Sequence, residues 1–428
     1  SPTSTLTPTP TSTIPAAFCY DLTTIFTGTS FSGLNDVIQT NDYNFVFGTS
    51  NSGSTYGGTS IGSYVKLNNN TGLTINTGFT LDTSNDWITI QKVKQLSNGK
   101  YIIAGRSTSG YNLRQLNSNG TVDTGFTQNL FGVTSGINFI TDFDVQSDGK
   151  IIAVGSFVTI NGSRYEKYVR LNSNGSIDTA FYSGGTGSGF SGGSATWLSG
   201  VIVQPDTNIL LYGGFTNYSG TSYKNIIRLT SSGTVDATFS GSTTVTGFYY
   251  SNSINAILYT STNKILLRGD FRRTSTLGEN ITMLNNDGTY DSTFVVGYGV
   301  RNEPVISTCI PVETSLGSFI IGSSNYNGLP RPNYNTQQVR GIFRLLSNGT
   351  IDTTYGGSWT CDEPPPYTTY RSMNFTKIII DANGNYVMTY KYSPTTTQIR
   401  YNNPISAAPD YTNGGYAILD NTGAILKC

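Results

Sequence analysis

A unit of roughly 55 residues recurs along this chain, and such recurrence restricts the fold to architectures in which like modules pack against like. The clearest copy is VQSDGKIIAVGSF (145–157) followed by VRLNSNGSIDTAF (169–181). Its second half reappears as QLNSNGTVDTGF (115–126), RLTSSGTVDATF (228–239), MLNNDGTYDSTF (283–294) and RLLSNGTIDTTY (344–355), with a looser KLNNNTGLTINTGF (66–79). The closing aromatics Phe79, Phe126, Phe181, Phe239, Phe294 and Tyr355 stand 47 to 61 residues apart. The first half returns as LSNGKYIIAG (96–105), QPDTNILLYGGF (204–215), STNKILLRGDF (261–271) and, more weakly, DANGNYVMTY (381–390).

Each half is a turn next to an apolar run. Asn-Gly and Asp-Gly between β-rich segments signal hairpins, because primed turns need positive φ, which glycine and asparagine adopt cheaply. One unit therefore holds two hairpins, or four strands. With no helical periodicity, this predicts an all-β, seven-bladed β-propeller of four-stranded antiparallel blades. The blades run over 36–79, 88–126, 138–181, 197–239, 254–294, 305–355 and 374–428. Small residues after the second strand (Gly105, Gly155, Gly213, Gly214, Gly269) would let neighbouring backbones approach. The closing aromatic would fill the space between blades, each ring contributing about 1.5–3 kcal/mol.

The last copy ends near where its closing aromatic should stand, whereas CYDLTTIF (19–26) supplies one a single period before Phe79. Residues 18–26 are thus expected to complete the seventh blade, removing free sheet edges. Cys19 and Cys428 would then be neighbours and candidates for a disulfide, although the four cysteines (Cys19, Cys309, Cys361, Cys428) allow three pairings and fit no zinc spacing. Residues 1–17, rich in Thr, Ser and Pro, read as a linker or tether, leaving 18–428 as one domain.

Charged residues are only 12% of the 428 and cancel to zero net charge, so the chain offers no general field for nucleic acid or anionic lipid. It opens on Ser1 with no apolar run, and no stretch approaches the roughly 20 apolar residues that span a bilayer; neither a signal peptide nor a membrane anchor is expected. Histidine is absent, which excludes Ser-His-Asp, Cys-His and His-ligated metal chemistry. No cofactor is implied.

The pattern V-x-x-Q-x-D-G-K-I-x-x-x-G-x-F, then R-L-N-x-x-G-x-x-D-x-x-F, resembles the delta-60 repeat. Val145 to Phe181 match it almost fully, 201–239 well and the outer copies less; Asn76 and Tyr355 depart from it. That family occurs in phage tail and virion proteins and in bacterial secreted or surface proteins. The resemblance implies a propeller used as a scaffold rather than an enzyme.

Asp123, Asp178, Asp236, Asp291 and Asp352 recur three residues before the closing aromatic, a fixed turn position that points to backbone capping rather than a ring of acids. Asp142 and Asp144 share a strand face and form a conceivable carboxylate pair for glycosidase-like chemistry; a structural role is favoured there too. Gly187, Gly189 and Gly192 spell G-x-G-x-x-G without the helix that a dinucleotide site needs, since Ala195–Gln204 reads as strand. Arg268-Gly269-Asp270 spells an adhesion tripeptide in a strand position, and the sequons at Asn119, Asn174 and Asn348 are hairpin turns.

Residues that escape the repeat are the better candidates for specific contacts. They are Trp87, Trp197, Tyr249, Tyr250, Arg272, Arg273, Trp359 and Tyr367, the last two in the Pro-rich loop 359–370, although plugging of the blade ends is the favoured reading of these departures. The expected function is a non-catalytic virion structural protein, a tail-fibre, appendage or decoration module touching other virion proteins and a host-surface glycan or protein. The alternative is a secreted or cell-surface bacterial adhesin or glycan-binding propeller.

Overall fold

A computed structural model of the chain describes residues 34–49, 54–56, 59–69, 74–81, 86–133, 138–165, 167–181, 189–192, 198–248, 250–275, 279–301, 309–322, 333–334, 337–338, 342–355, 372–393, 413–419, 421 and 425–427. Among the described residues, seven antiparallel sheets of one design follow each other, with smaller two- and three-stranded ribbons between their strands. Their first strands are Leu34–Gln39, Trp87–Gln95, Ile140–Val145, Leu198–Val203, Tyr250–Tyr259, Val312–Glu313 and Ser372–Ile380. In the third sheet Ile140–Val145 pairs with Ile151–Gly155, which pairs in turn with Tyr168–Leu171, and the other six keep that order.

The expected fourth strand is mostly absent as such. It is a two-residue strand, Thr74–Ile75, in the first sheet, and a single bridge in five others: Leu116 with Val122, Leu171 with Ile177, Leu229 with Val235, Leu284 with Tyr290 and Leu345 with Ile351. The recurrent Asp explains the shortness. Directly after Ile177, the Asp178 carboxylate accepts the Ala180 N–H and turns the chain away before a second pair can form. In the seventh sheet the fourth strand is Ile425–Lys427, from the C-terminal end itself. Residues 18–26, expected to complete that sheet, lie outside the described residues.

The hairpin turns follow Asn-Gly and Asp-Gly, but only the glycine has positive φ, for example +81° at Gly99 and +85° at Gly175. Gly99 N–H donates to Leu96 O and Leu96 N–H to Lys100 O, so these are three-residue loops closed by a left-handed glycine, not the primed two-residue turns. The glycines after the second strand also act differently from expectation. Ile140 and Asp142 pair with consecutive residues Gly155 and Val154, a β-bulge that recurs in the first strands of the other long sheets. A Cβ on Gly155 would lie 2.2 Å from Phe139 O, and on Gly105 2.1 Å from Thr89 O. The close approach is therefore within one sheet, where the bulge pushes its carbonyl at the partner strand.

Every sheet is covered on both faces. Ile151 and Ala153 pack towards the second sheet with Ile102, Ala104 and Phe126, whereas Ile152 and Val154 pack towards the fourth with Leu198, Val201 and Leu211. Period-two alternation thus feeds two cores from one strand. Phe45 and Phe47 of the first sheet share a core with Val387 and Ile418 of the seventh. A six-residue helix, Gly241–Thr246, is inserted between the fourth and fifth sheets.

The closing aromatic ties each unit to the next. Phe126 ends the second unit, and a Cβ on Gly175 in the third unit's turn would fall 2.8 Å from its ring. Thr127 N–H donates to Asn174 O at 2.7 Å across the same joint. The arrangement repeats with Phe79 and Gly120, Phe181 and Gly233, Phe239 and Gly288, and Phe294 and Gly349.

Two glycines of similar φ separate these effects. A Cβ added at Gly162 (φ +81°) would meet nothing within 4 Å, so Gly162→Ala should cost about 1 kcal/mol from backbone strain alone. Gly175→Ala adds the clash with Phe126 and Thr127 O and should cost roughly 3 kcal/mol in urea unfolding. Equal losses would mean that the joint is not tightly packed.

Candidate functional site

The repeated polar residues build one module. In the third sheet Arg170 Nε and Nη2 each stand 2.8 Å from Asp178 Oδ2, Lys150 Nζ stands 2.9 Å from the same oxygen, and the guanidinium lies 4.0 Å over the Phe181 ring. Arg228, Asp236 and Phe239 repeat this in the fourth sheet, and Arg344, Asp352 and Tyr355 in the sixth. Lys100 pairs with Asp123 and Lys264 with Asp291. Burial alone raises the Asp178 carboxyl, but hydrogen bonds and charge from Lys150 and Arg170 outweigh it and hold the group below the usual carboxylate range. Asp236 and Asp352 are lowered against burial in the same way by threonine, backbone and arginine donors.

A second set of polar side chains stitches first strands together. Asp142 Oδ1 takes Lys92 Nζ of the second sheet at 2.6 Å while Oδ2 accepts Val201 N–H of the fourth at 3.0 Å. Asp144 repeats this with Lys94 and with Val203 N–H at 2.9 Å. The two carboxylates are thus bound between three sheets, which accounts for them structurally. Burial lowers the Lys92 ammonium, and the charges of Asp142 and Asp144 more than restore it. Asp36 accepts Val93 N–H at 2.7 Å and faces Lys377 of the seventh sheet at 3.2 Å.

Size is exchanged across the strand pair. Asp36, Lys92, Asp142 and Lys377 face Gly48, Ala104, Val154 and Thr389, whereas Gly200 and Ala256 face Tyr212 and Arg268. A Cβ on Gly200 would lie 2.2 Å from the Tyr212 hydroxyl, which reaches the Ile257 backbone of the fifth sheet. Arg268, fully buried, donates to Gly322 O of the sixth sheet at 2.5 Å. The Arg-Gly-Asp tripeptide is therefore part of this stitching.

Of the residues nominated from the sequence, Trp87 is 1% exposed and lies under Arg114, whose guanidinium is 5.0 Å from its ring. It belongs to the core. Tyr250 and Arg272 are register partners at one end of the fifth sheet; Arg272 donates to Ser275 O, and the adjacent Arg273 guanidinium sits 4.4 Å over Tyr290. The structure brings those three to one sheet end. Trp197, Tyr249, Trp359, Tyr367, Cys19 and Cys428 lie outside the described residues; Cys309 is buried. What sequence reasoning misses is the lysine half of the stitching: Lys92 and Lys94 sit 50 residues before their aspartates, and only their matching two-residue spacing hints at it.

A cavity of about 410 Å³ opens between the fifth, sixth and seventh sheets, walled by Leu258, Ile310, Val312, Ile379 and Ile380, with Lys377 at its border. It is suited to apolar matter. Among the described residues no cluster of three His, Cys, Asp or Glu could hold a metal, and no helix is long and apolar enough to cross a membrane.

The lowered carboxylates predict a pH dependence. Each contributes stability that is present above its unfolded value near 3.9 and lost as pH falls through the lower folded value. Unfolding free energy should therefore be flat above about pH 5 and fall below about pH 4. Asp178→Asn should cost roughly 3 kcal/mol at pH 7 and make that fall shallower, as read by urea titration across pH. An unchanged acid slope would remove Asp178 from the account.

Comparison with known proteins places these repeats. Residues 96–126, 146–181, 204–239 and 319–355 match a family model described as "Domain of unknown function (DUF5122) beta-propeller". These stretches begin after the first strands of the second, third, fourth and sixth sheets and run to their closing aromatics. No curated protein matches the chain. Among solved structures, the WD40 β-propeller domain of Doa1 is similar at 11% identity, covering 85% of this chain and 94% of that one, with a TM-score of 0.45. A catalytically inactive virginiamycin B lyase from Staphylococcus aureus with quinupristin gives 10% identity, coverage of 91% and 96%, and 0.45. PorZ, a surface component of the type-IX secretion system of Porphyromonas gingivalis, gives 11%, 83% and 45%, and 0.44. With its recurrent antiparallel sheets the chain is an all-β protein, and four of those sheets carry stretches that match a β-propeller family model.

Proposed function

We propose that the seven sheets are blades of one closed propeller of the delta-60 type, serving as a non-catalytic attachment or structural part of a phage particle. The observation that carries the non-catalytic reading is the fate of the recurrent acids. Asp123, Asp178, Asp236, Asp291 and Asp352 each hold a cation and cap a turn N–H, and Asp142 and Asp144 each bridge sheets. Charge is committed to architecture, leaving recognition to irregular segments and sheet ends such as Tyr250, Arg272 and Arg273. Closure is supported by Thr376 Oγ1 donating to Leu34 O at 2.8 Å and Ala382 N–H to Gln39 Oε1 at 2.7 Å, which join the seventh sheet to the first. The Thr/Pro-rich residues 1–17 would tether the wheel to other virion proteins, and its free faces would meet a host-surface glycan or protein.

Two measurements test this. Mass spectrometry of purified particles should find the chain as a stoichiometric component; a saccharide hit on a glycan array with no particle association would favour the secreted adhesin, and polysaccharide turnover would overturn the non-catalytic reading. For closure, a double-mutant cycle on Asp36→Asn and Lys377→Met should give a coupling of about 1–3 kcal/mol. Additive effects would show that the first and seventh sheets are not joined in solution.

A further inference from the structure

The three arginine modules, in the third, fourth and sixth units, share a feature that the second unit lacks. Arg170 Nη1 reaches the next sheet's turn and donates to Ser231 O at 2.5 Å; Arg228 Nη1 does so to Asn286 O at 2.6 Å, and Arg344 Nη1 to Asn421 O at 3.1 Å. Each guanidinium is thus enclosed by its own Asp, its own closing aromatic and a carbonyl of the following unit. In the second sheet the same position is Gln115, which is shorter and uncharged. Its surroundings are otherwise retained: Asp123 caps Gly125 N–H at 2.9 Å, Phe126 closes the unit, and Ser173 stands in the next turn where Ser231 stands one unit on.

Where the arginine head would lie there is instead a cleft of about 550 Å³, whose walls include Gln115, Asp123, Phe126 and Ser173 together with the ion-paired Lys94 and Lys100. In the fifth sheet, which carries Met283 at this position, the methionine is itself buried in the core between sheets. The third sheet shows that such a position accepts a second cation. Asp178 carries both Lys150 and Arg170, whereas Asp123 carries Lys100, the counterpart of Lys150, and its side chain is 14% exposed against 8% for Asp178. The nearby Lys94 is neutralised by Asp144.

We propose that this cleft binds a guanidinium from outside the chain, an arginine side chain presented by a protein partner, lying on Phe126 and held by Asp123 and the Ser173 carbonyl. The arginine that the third, fourth and sixth units carry themselves is here supplied in trans. This holds whichever assembly the propeller serves.

Calorimetric or NMR titration of the full chain with N-acetyl-arginine N-methylamide tests it. Binding in the millimolar range is expected for one charge-assisted contact, with none detectable for the isosteric, uncharged citrulline derivative. Gln115→Arg fills the cleft from within and should abolish binding while raising Tm by about 2–4 °C; Asp123→Asn should weaken binding at least about tenfold. Equal responses to the arginine and citrulline probes, or undiminished binding by Gln115→Arg, would overturn the proposal. Free arginine binding at least about tenfold tighter than the blocked residue would overturn the protein source and point to a small-molecule ligand.

Discussion

The fold depends on a ring that one unit donates and the next unit covers. Phe126 belongs to the second unit by sequence, yet the turn at Gly175 that lies against it belongs to the third. Because the aromatic and its lid are in different units, no unit can finish its own packing, and stability accrues only between neighbours. The lid must be glycine for two independent reasons: the backbone there has φ of +85°, and a side chain would enter the ring. The backbone bond from Thr127 to Asn174 then sets the spacing of adjacent sheets.

Much of this architecture is legible in the residues because its devices are local. An Asn-Gly followed at fixed distance by Asp and then an aromatic announces a turn, a cap and a plug, and the structure has all three at 174, 178 and 181. What stays hidden is what local patterns do not encode. Ser-Ile-Asp alternates like a strand, yet Asp178 ends it after one bridge. Gly155 looks like a spacer between sheets, but its role answers a bulge in its own sheet, which alternation does not reveal. Asp142 and Asp144 resemble a catalytic pair until lysines from a preceding unit are placed against them.

The candidate site is less legible, for a related reason. Tyr250, Arg272 and Arg273 stand out because they break the repeat conspicuously, and they do meet at one sheet end. Trp87 breaks it too, yet only by adding bulk to the core. Gln115 departs by a single polar-for-basic exchange, and it stands out only when the reach of Arg170, Arg228 and Arg344 is measured.

The exchange of bulk across strand pairs has a consequence for how such a chain can change. Asp36 is keyed to Val93 and Lys377, Asp142 to Val201 and Lys92, and Tyr212 to Ile257, so these modules recognise particular neighbours. Permuting or duplicating a module, which the outer aromatic joints alone would tolerate, would strand an acid without its lysine or set Tyr212 against a side chain. These modules look interchangeable from outside, but where their inner strands meet they carry serial numbers that tie them to particular neighbours.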